Sequence, residues 1–473
     1  MTTSDQDRDQ TAAYRAYVLF ILVVVYTFNF IDRQIIGILA VPIKAELGLS
    51  DTQIGLMSGL AFALFYTFLG IPIAALADRR NRTWIMTIAL TIWSGMTAVC
   101  GLAQSFVQLF MARLGVGVGE AGGVAPAYSL ISDYFPPQSR ARALAVFSFG
   151  IPIGSAVGII LGGILTSLLD WRAAFFLVGL TGLLVVPVFK LTVKEPPRGQ
   201  FDGGAAKPAA ATGSDSRFQW FRDTVEVLRV LIRKPSFWGL SFGAAFSSMM
   251  GYGLFLWMPS FFVRSFGAEL PAFFEFLPRF LLPPDPSLVL YAAYFYGAIV
   301  LVGGLLGIWL GGVLADKYGE DKKAAYAFVP GVAFLSLVPI LVLGLITPSL
   351  AVSFWVFVIP TALGLMWLGP VTSAFQHLVE PHMRATASAV FLFINNLIGI
   401  GVGQTAIGLI SDSLAVRYGD ESLRYAILSG CSFYLIAGTI MLITAPRLKK
   451  DWVSFAAGAP ATGTGALDSA VAD

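Results

Sequence analysis

The chain contains twelve apolar stretches, each long enough to cross the roughly 30 Å hydrocarbon layer of a bilayer, and few folds are open to such a sequence. They fall at 16–40, 53–77, 84–104, 107–131, 143–167 and 172–193. Six more follow at 236–262, 289–315, 324–346, 350–375, 386–410 and 423–444. In lipid every backbone N–H and C=O must be bonded internally, so such stretches are read as helices. Of the 473 residues, 56% are hydrophobic and 12% charged, and mean hydropathy is +0.76. That balance is too apolar for a soluble fold. An all-α membrane protein with twelve transmembrane helices is the expected fold class.

Two of these stretches carry clusters of charge inside their apolar runs. The first holds Asn29-Phe-Ile-Asp32-Arg33 and the fourth holds Arg113-Leu-Gly-Val-Gly-Val-Gly-Glu120. An ionisable side chain at the bilayer centre costs roughly 2.5–3.5 kcal/mol, so four facing lipid would cost on the order of 10 kcal/mol. They are therefore expected to turn inward, towards one another or a wet cavity. Asn29, Asp32 and Arg33 lie three and four residues apart and share a helix face. Arg113 and Glu120 are two turns apart on another, and Gly115, Gly117 and Gly119 thin that helix for a close neighbour. Burial disfavours the charged form of a carboxylate, and a nearby guanidinium favours it. Asp32 and Glu120 are thus the candidate proton carriers, with Arg33, Arg113 and Asn29 as charge partners or substrate ligands. A static ion-pair network that fixes helix packing is the competing reading.

Most of the 31 lysines and arginines fall on one side of this layout. Lys44, Arg172, Arg264, Arg279, Arg417 and Arg424 fall on the other, and Arg33 and Arg113 lie within spans. The positive-inside rule then places both termini in the cytoplasm. The polar segment before the first span has no cleavage pattern, which predicts a retained first helix in the plasma (inner) membrane. Four regions are expected: a six-helix half at 1–193, a cytoplasmic linker at 194–235, a second six-helix half at 236–446, and a disordered cytoplasmic tail at 447–473. In the linker, Phe218, Phe221, Val225, Leu228 and Ile232 form a stripe, predicting an amphipathic helix on the membrane face. Cys100 and Cys431 sit in apolar segments and read as packing residues.

The halves repeat. Leu76-Ala77-Asp78-Arg79 after the second span matches Leu314-Ala315-Asp316-Lys317 after the eighth. Pro137-Gln-Ser-Arg140-Ala141 after the fourth matches Pro381-His-Met-Arg384-Ala385 after the tenth. Two six-helix halves related by an axis along the membrane normal follow from this spacing. The positions equivalent to Asp32 and Glu120, near Leu270 and Gly364, are not acidic, which confines the charge chemistry to the first half.

The layout and loop motifs resemble the major facilitator superfamily. Within it the chain resembles the spinster transporters through Asn29–Arg33, Arg113–Glu120, Ala125-Pro126, Phe149–Gly158 and Lys194-Glu-Pro-Pro-Arg198-Gly199. The resemblance implies proton-linked movement of lysophospholipids or sphingoid-base phosphates. It also implies a gate on the cytoplasmic side built from Asp78, Arg140, Asp316 and Arg384, although Ala74 and Asn81 stand where the family usually has glycine. Topology signalling is the alternative role of those four. The run Ser155–Gly163 resembles an antiporter signature but lacks its proline after Gly158, and close helix packing is the safer reading.

Tyr26, Tyr252, Trp257, Met366, Trp367, Phe393 and Gln404 are candidates to line a central cavity. Asn395 and Asn396 are the stronger ones, because amides within a span need partners. His377 and His382 read as solvated loop residues. No hydrolytic triad, metal cluster or phosphate-binding loop is apparent, so no enzyme activity, cofactor or metal is expected. The near-balanced net charge of +3 implies no nucleic-acid partner. The expected protein is a monomeric, proton-coupled secondary transporter of an amphiphilic lipid. A carrier of small organic anions or drugs, and a non-transporting membrane sensor, remain as alternatives.

Overall fold

Thr11 opens the first helix by accepting a hydrogen bond from Tyr14 N at 3.2 Å, and Gly48 ends it with a left-handed φ of 63°. Between them α1 spans Ala12–Leu47. Its 36 residues reach about 54 Å at 1.5 Å per residue, well past the hydrocarbon layer. The structure is a computed structural model that describes residues 11–77, 79–198, 201, 225–278, 281–319, 322–379 and 383–452.

Ser50 then starts α2 through a reciprocal cap with Gln53. This helix comprises Asp51–Gly55, a π-helical stretch Leu56–Leu60, and Ala61–Ala77. α3 is Arg82–Cys100. α4 is interrupted between Phe106–Glu120 and Val124–Tyr134, and α5 between Pro137–Ser148 and Gly150–Leu168. α6 is Trp171–Thr192. The second six are α7 (Pro235–Phe266), α8 (Leu288–Gly319), α9 (Ala325–Ile346), α10 (Leu350–Leu365 and Leu368–Gln376), α11 and α12. α11 joins Arg384–Asn396, a π-helical stretch Leu397–Val402 and Gly403–Tyr418; α12 is Ser422–Asp451. Among the described residues, 10 stretches suit a membrane crossing by length and composition. The interrupted α4 is not among them, and α11 with α12 counts as one. All twelve expected spans are therefore helical.

Two boundaries differ from expectation. Residues 447–451 are the last turn of α12, because Asp451 caps α7 by accepting from Ser236 N (3.0 Å) while Lys234 Nζ donates to Asp451 O (2.7 Å). Residues 453–473 lie outside the described residues. Of the linker stripe, Phe218 and Phe221 also lie outside. In the helical residues 225–232, Val227 and Leu231 are the buried ones and Ile232 is exposed. Trp238 Nε1 donates to Leu231 O at 3.0 Å, so this turn is held against α7 through Val227 and Leu231, not through the expected stripe.

Close contacts at small residues reproduce the repeat in space. α5 presses on α1 where Gly154 faces Thr27 O, and α11 presses on α7 where Gly399 faces Ser248. α4 meets α2 at Gly117, opposite Phe62 O, as α8 meets α10 at Gly303, opposite Val358 O. α6 meets α3 at Gly182, and α12 meets α9 at Gly438. Each pair in the first half has its counterpart in the second. Three further pairs join the halves, α5 with α8, α2 with α11 and α1 with α7. Tyr14 OH donates to Thr192 O (2.9 Å). With the Lys234–Asp451 bond this puts both ends of each half on one face of the bundle, here the terminal face; the opposite end is the far face.

Arg82 belongs to the basic residues that mark topology, yet it is buried at the terminal face. It bonds Glu195 (Nε–Oε1 2.7 Å), Asp133 and Ser129 Oγ (2.8 Å), and Arg198 Nη2 donates to Ala77 O (2.7 Å) and Arg80 O (2.6 Å). The Lys-Glu-Pro-Pro-Arg run after α6 is thereby strapped to the α2–α3 turn.

Candidate transport site

Small residues aim α1. A Cβ on Gly154 would lie 2.5 Å from Thr27 O, and one on Gly158 would lie 2.9 Å from Ile31 O. Only glycine lets α5 sit this close, and the contact holds α1 with Asn29, Asp32 and Arg33 turned away from it. The packing reading of the Ser155–Gly163 run agrees with these contacts. From the other side Gly117 brings α4 against α2, since a Cβ there would lie 2.8 Å from Phe62 O. Arg113 and Glu120 thus face α1 across a narrow gap.

The charges pair crosswise. Arg33 of α1 places Nε 2.6 Å from Oε2 of Glu120 on α4. Arg113 of α4 donates from Nη1 to the main-chain O of Asp32 at 3.3 Å. The Arg33 guanidinium also lies over three rings, with centroid distances of 4.7 Å to Tyr66, 4.9 Å to Phe62 and 5.2 Å to Phe30. Arg113 lies 5.8 Å from the Phe62 ring. Aromatic faces attract a desolvated guanidinium by about 2 kcal/mol. They hold Arg33 in place beside its ion pair with Glu120.

The donors and acceptors of the site are the notable feature. Asn29 Nδ2 and Oδ1, Asp32 Oδ1, Arg33 Nη2, Arg113 Nε and Glu120 Oε1 are buried without a hydrogen-bond partner among the described residues. Buried polar groups are nearly always satisfied, and each that is not calls for an explanation. A finished structural ion-pair network would pair these atoms with one another. Their joint availability marks a place where protons, water or an anionic ligand can bind.

The structure therefore brings together Asn29, Asp32, Arg33, Arg113 and Glu120. Of the second-half candidates, Tyr252 on α7 comes within hydrogen-bonding reach of the Arg33 side chain, whereas the described bonds of the others are made elsewhere. Asn395 Oδ1 accepts from Ser248 Oγ at 2.9 Å, and Asn396 is buried beside it in α11. Gln404 Nε2 donates to Tyr252 O (3.2 Å), and Trp257 Nε1 donates to Gln404 O (3.0 Å), so these residues bind α7 to α11. Tyr26 stacks on Phe147 at 4.3 Å, and Phe393 meets Phe68 edge-on at 5.3 Å. Of the gate candidates, Arg140 donates from Nη2 to Ser132 O at 2.7 Å. Asp78 and the side chains of Asp316 and Arg384 lie outside the described residues, as does His382. His377 is not simply solvated; it stacks on Trp452 at 4.7 Å.

Sequence reasoning missed Phe62 and Tyr66. The signal was their spacing of four on one helix face, hidden among 38 phenylalanines. It also missed a charged cluster at the far face, where the buried Asp51 accepts from Lys44 Nζ (2.6 Å) and Arg264 Nη2 (2.7 Å).

Paired helical halves around a buried site of this kind define a membrane transporter. Residues 22–404 match the sequence profile of the Major Facilitator Superfamily. The chain is 32% identical over 432 residues to an MFS-type efflux pump of Mycolicibacterium smegmatis, covering 91% of this chain and 92% of that one. It is 30% identical over 454 residues to protein spinster homolog 1 of Xenopus tropicalis, covering 93% and 82%. A crystal structure of a bacterial homologue of the human lysosomal transporter Spinster, inward-facing and unoccupied, aligns with a TM-score of 0.79 at 33% identity. That alignment covers 94% of this chain and 100% of the other. The chain belongs to the major facilitator superfamily and is a transporter of the spinster type.

Proposed function

We propose that this protein is a proton-coupled carrier of an amphiphilic anion, of the lysophospholipid or sphingoid-base phosphate class, working by alternating access. The observation that carries the reading is the set of buried, unpartnered polar atoms on Asn29, Asp32, Arg33, Arg113 and Glu120. Two carboxylates and two guanidiniums balance formally. A proton entering at Asp32 or Glu120 therefore frees an arginine, and a phosphate entering at an arginine frees a carboxylate. Guanidinium binds phosphate bidentately and stays charged at physiological pH. Phe30, Phe62 and Tyr66 supply apolar surface beside it for a chain. Gating at the terminal face falls to Asp78, Arg140, Asp316 and Arg384. With that face cytoplasmic, the monomer sits in the plasma membrane with both termini inside.

A second reading, export of small organic anions or drugs, is favoured by the efflux-pump name of the M. smegmatis relative. Purified protein in liposomes distinguishes the two. Lysophospholipids of increasing chain length should be carried progressively better, and Arg113→Ala should weaken that preference's anionic component. Strong flux of a small carboxylate, with no dependence on chain length, would favour the second reading.

A further inference from the structure

The terminal-face ends of α7 and α12 leave a groove between them. The two helices meet at Gly239, where a Cβ would collide with Thr444 Oγ1, and one turn deeper at Gly243, where it would lie 2.8 Å from Met441 Cε. Beside that line of contact the larger side chains stand apart. Trp238, Phe242 and Phe246, each four residues from the next, form one wall on α7, and Ile440 and Ile443 form the other on α12. The first wall is stiff, because Trp238 stacks on Phe242 at 6.1 Å and its Nε1 donates to Leu231 O at 3.0 Å. The groove encloses about 330 Å³, within the roughly 300–1,000 Å³ range of small-molecule sites. Phe242 and Ile443 are exposed at its mouth, so it opens towards the hydrocarbon of the bilayer.

The terminal-face end of the groove is basic. Arg447 lines it one turn beyond Ile443, and its guanidinium has no ion pair or hydrogen bond among the described residues. Arg233 and Lys234 stand at the same end, just ahead of Pro235, the lining residue that begins α7. The carboxylate nearby is already engaged. Asp451 accepts from Ser236 N (3.0 Å) as the cap of α7, and its main-chain O accepts from Lys234 Nζ (2.7 Å). Arg447 is thus the charge that the groove leaves unanswered. Trp238 lies one turn into α7, at the depth where headgroups meet chains and where tryptophan is enriched. An apolar trough with a cation at its headgroup end matches one phospholipid in shape and charge. Basic pockets between membrane helices collect anionic headgroups, and a guanidinium meets a phosphate with two parallel bonds.

We infer that this groove holds a resident phospholipid with an anionic headgroup, its phosphate on Arg447 and one chain lying between Phe242 and Ile443. The lipid comes from the leaflet at the terminal face and is not cargo. α7 and α12 belong to the same half and pack through Gly239 and Gly243, so a rocking of the two halves neither opens nor closes the groove. A lipid seated there ties together the helices that begin and end the second half. Because it binds the folded chain alone, it also stabilises that fold.

Native mass spectrometry of the full chain, supplied with equal amounts of phosphatidylglycerol and phosphatidylcholine, counts the lipid retained. Wild type should retain phosphatidylglycerol in preference. Arg447 is exposed and unpaired, so Arg447→Gln should fold normally. It should lower phosphatidylglycerol retention about tenfold, the scale of one charge-assisted hydrogen bond. Lys449→Gln removes the same charge from the same helix but away from the groove, and should leave retention unchanged. Ile443→Trp keeps Arg447 and fills the place of the chain, and should lower retention as well. Arg113→Ala, which takes a cation from the transport site, should not. Added phosphatidylglycerol should raise the melting temperature of wild type and Lys449→Gln, and hardly that of Arg447→Gln. Equal losses in Arg447→Gln and Lys449→Gln would reduce the effect to diffuse surface charge and overturn the inference. So would equal retention of the two lipids by wild type, or an Ile443→Trp variant that binds as wild type does. A loss in Arg113→Ala matching that in Arg447→Gln would place the lipid at the transport site and overturn it too.

Discussion

Arg33 and Glu120 sit 2.6 Å apart, on helices α1 and α4, with the arginine side chain 9% exposed and the glutamate fully buried. Removing one partner of a buried pair costs about 3–5 kcal/mol, because it strands the other charge. The pair is therefore stable only while both members keep their charge or both change environment. That dependence is what a coupling site requires.

Arg33 is held by rings as well as by its carboxylate. Arg33→Lys keeps the charge but gives up the planar group that lies over Phe30, Phe62 and Tyr66. Loss of about 1–2 kcal/mol of cation–π attraction should lower transport roughly tenfold at subsaturating substrate. Phe62→Leu should produce a similar loss through the same ring. Initial rates in liposomes check both.

The α1–α5 contact should be intolerant of volume. Gly154→Val forces a side chain into Thr27 O and Phe30, and overpacking of this kind costs about 1–3 kcal/mol or more. Melting in detergent should fall by several degrees. Gly70→Ala on α2, where no heavy atom lies within 4 Å of the added Cβ, should leave melting unchanged.

The buried Arg82 cluster should matter for stability and not for coupling. Arg82→Ala leaves Glu195 and Asp133 without their shared cation and should destabilise the protein by about 3 kcal/mol. The pH dependence of transport in the surviving fraction should match wild type. A changed pH profile would mean that the strap after α6 participates in coupling.

The terminal-face gate makes its own prediction. Asp78→Asn and Asp316→Asn should favour opening of that face, because a gating carboxylate stabilises only the closed arrangement and its removal shifts the population away from it. Distances between labels at the terminal-face ends of α4 and α10 should lengthen. Unchanged distances would assign those residues to topology alone.

The fold was legible because lipid leaves a chain few options. Apolar length gave all twelve helices, and the matched Asp78 and Asp316 loops gave the two halves that Gly154 with Gly399 and Gly117 with Gly303 display as paired contacts. The four charges of the site were legible for the same reason, since an ion within a span must find a partner. Which ions pair was not. Arg33 and Glu120 are distant in sequence, and their meeting depends on how Gly117, Gly154 and Gly158 set helix rotation. Asp51 escaped notice because charges at span ends are common and inexpensive; only the packing of α2 on its neighbours buries it. Arg82 escaped for a related reason, as its partner Glu195 arrives from a segment that reads as linker. Asn395 and Asn396 were expected at the site because amides need partners, and Ser248 on the neighbouring α7 already meets that need for Asn395.

The central claim is that Asp32 and Glu120 carry the proton that drives transport. Its most direct test is proton movement itself, recorded with a pH-sensitive dye trapped in liposomes when a lysophospholipid is added to one side. Wild type should shift the internal pH in step with flux. Asp32→Asn and Glu120→Gln should each abolish that shift; Glu120→Gln, which leaves the buried Arg33 without its carboxylate, should also melt lower, so the shift is read on the folded fraction of each variant. Full pH-coupled flux in both variants would contradict the assignment.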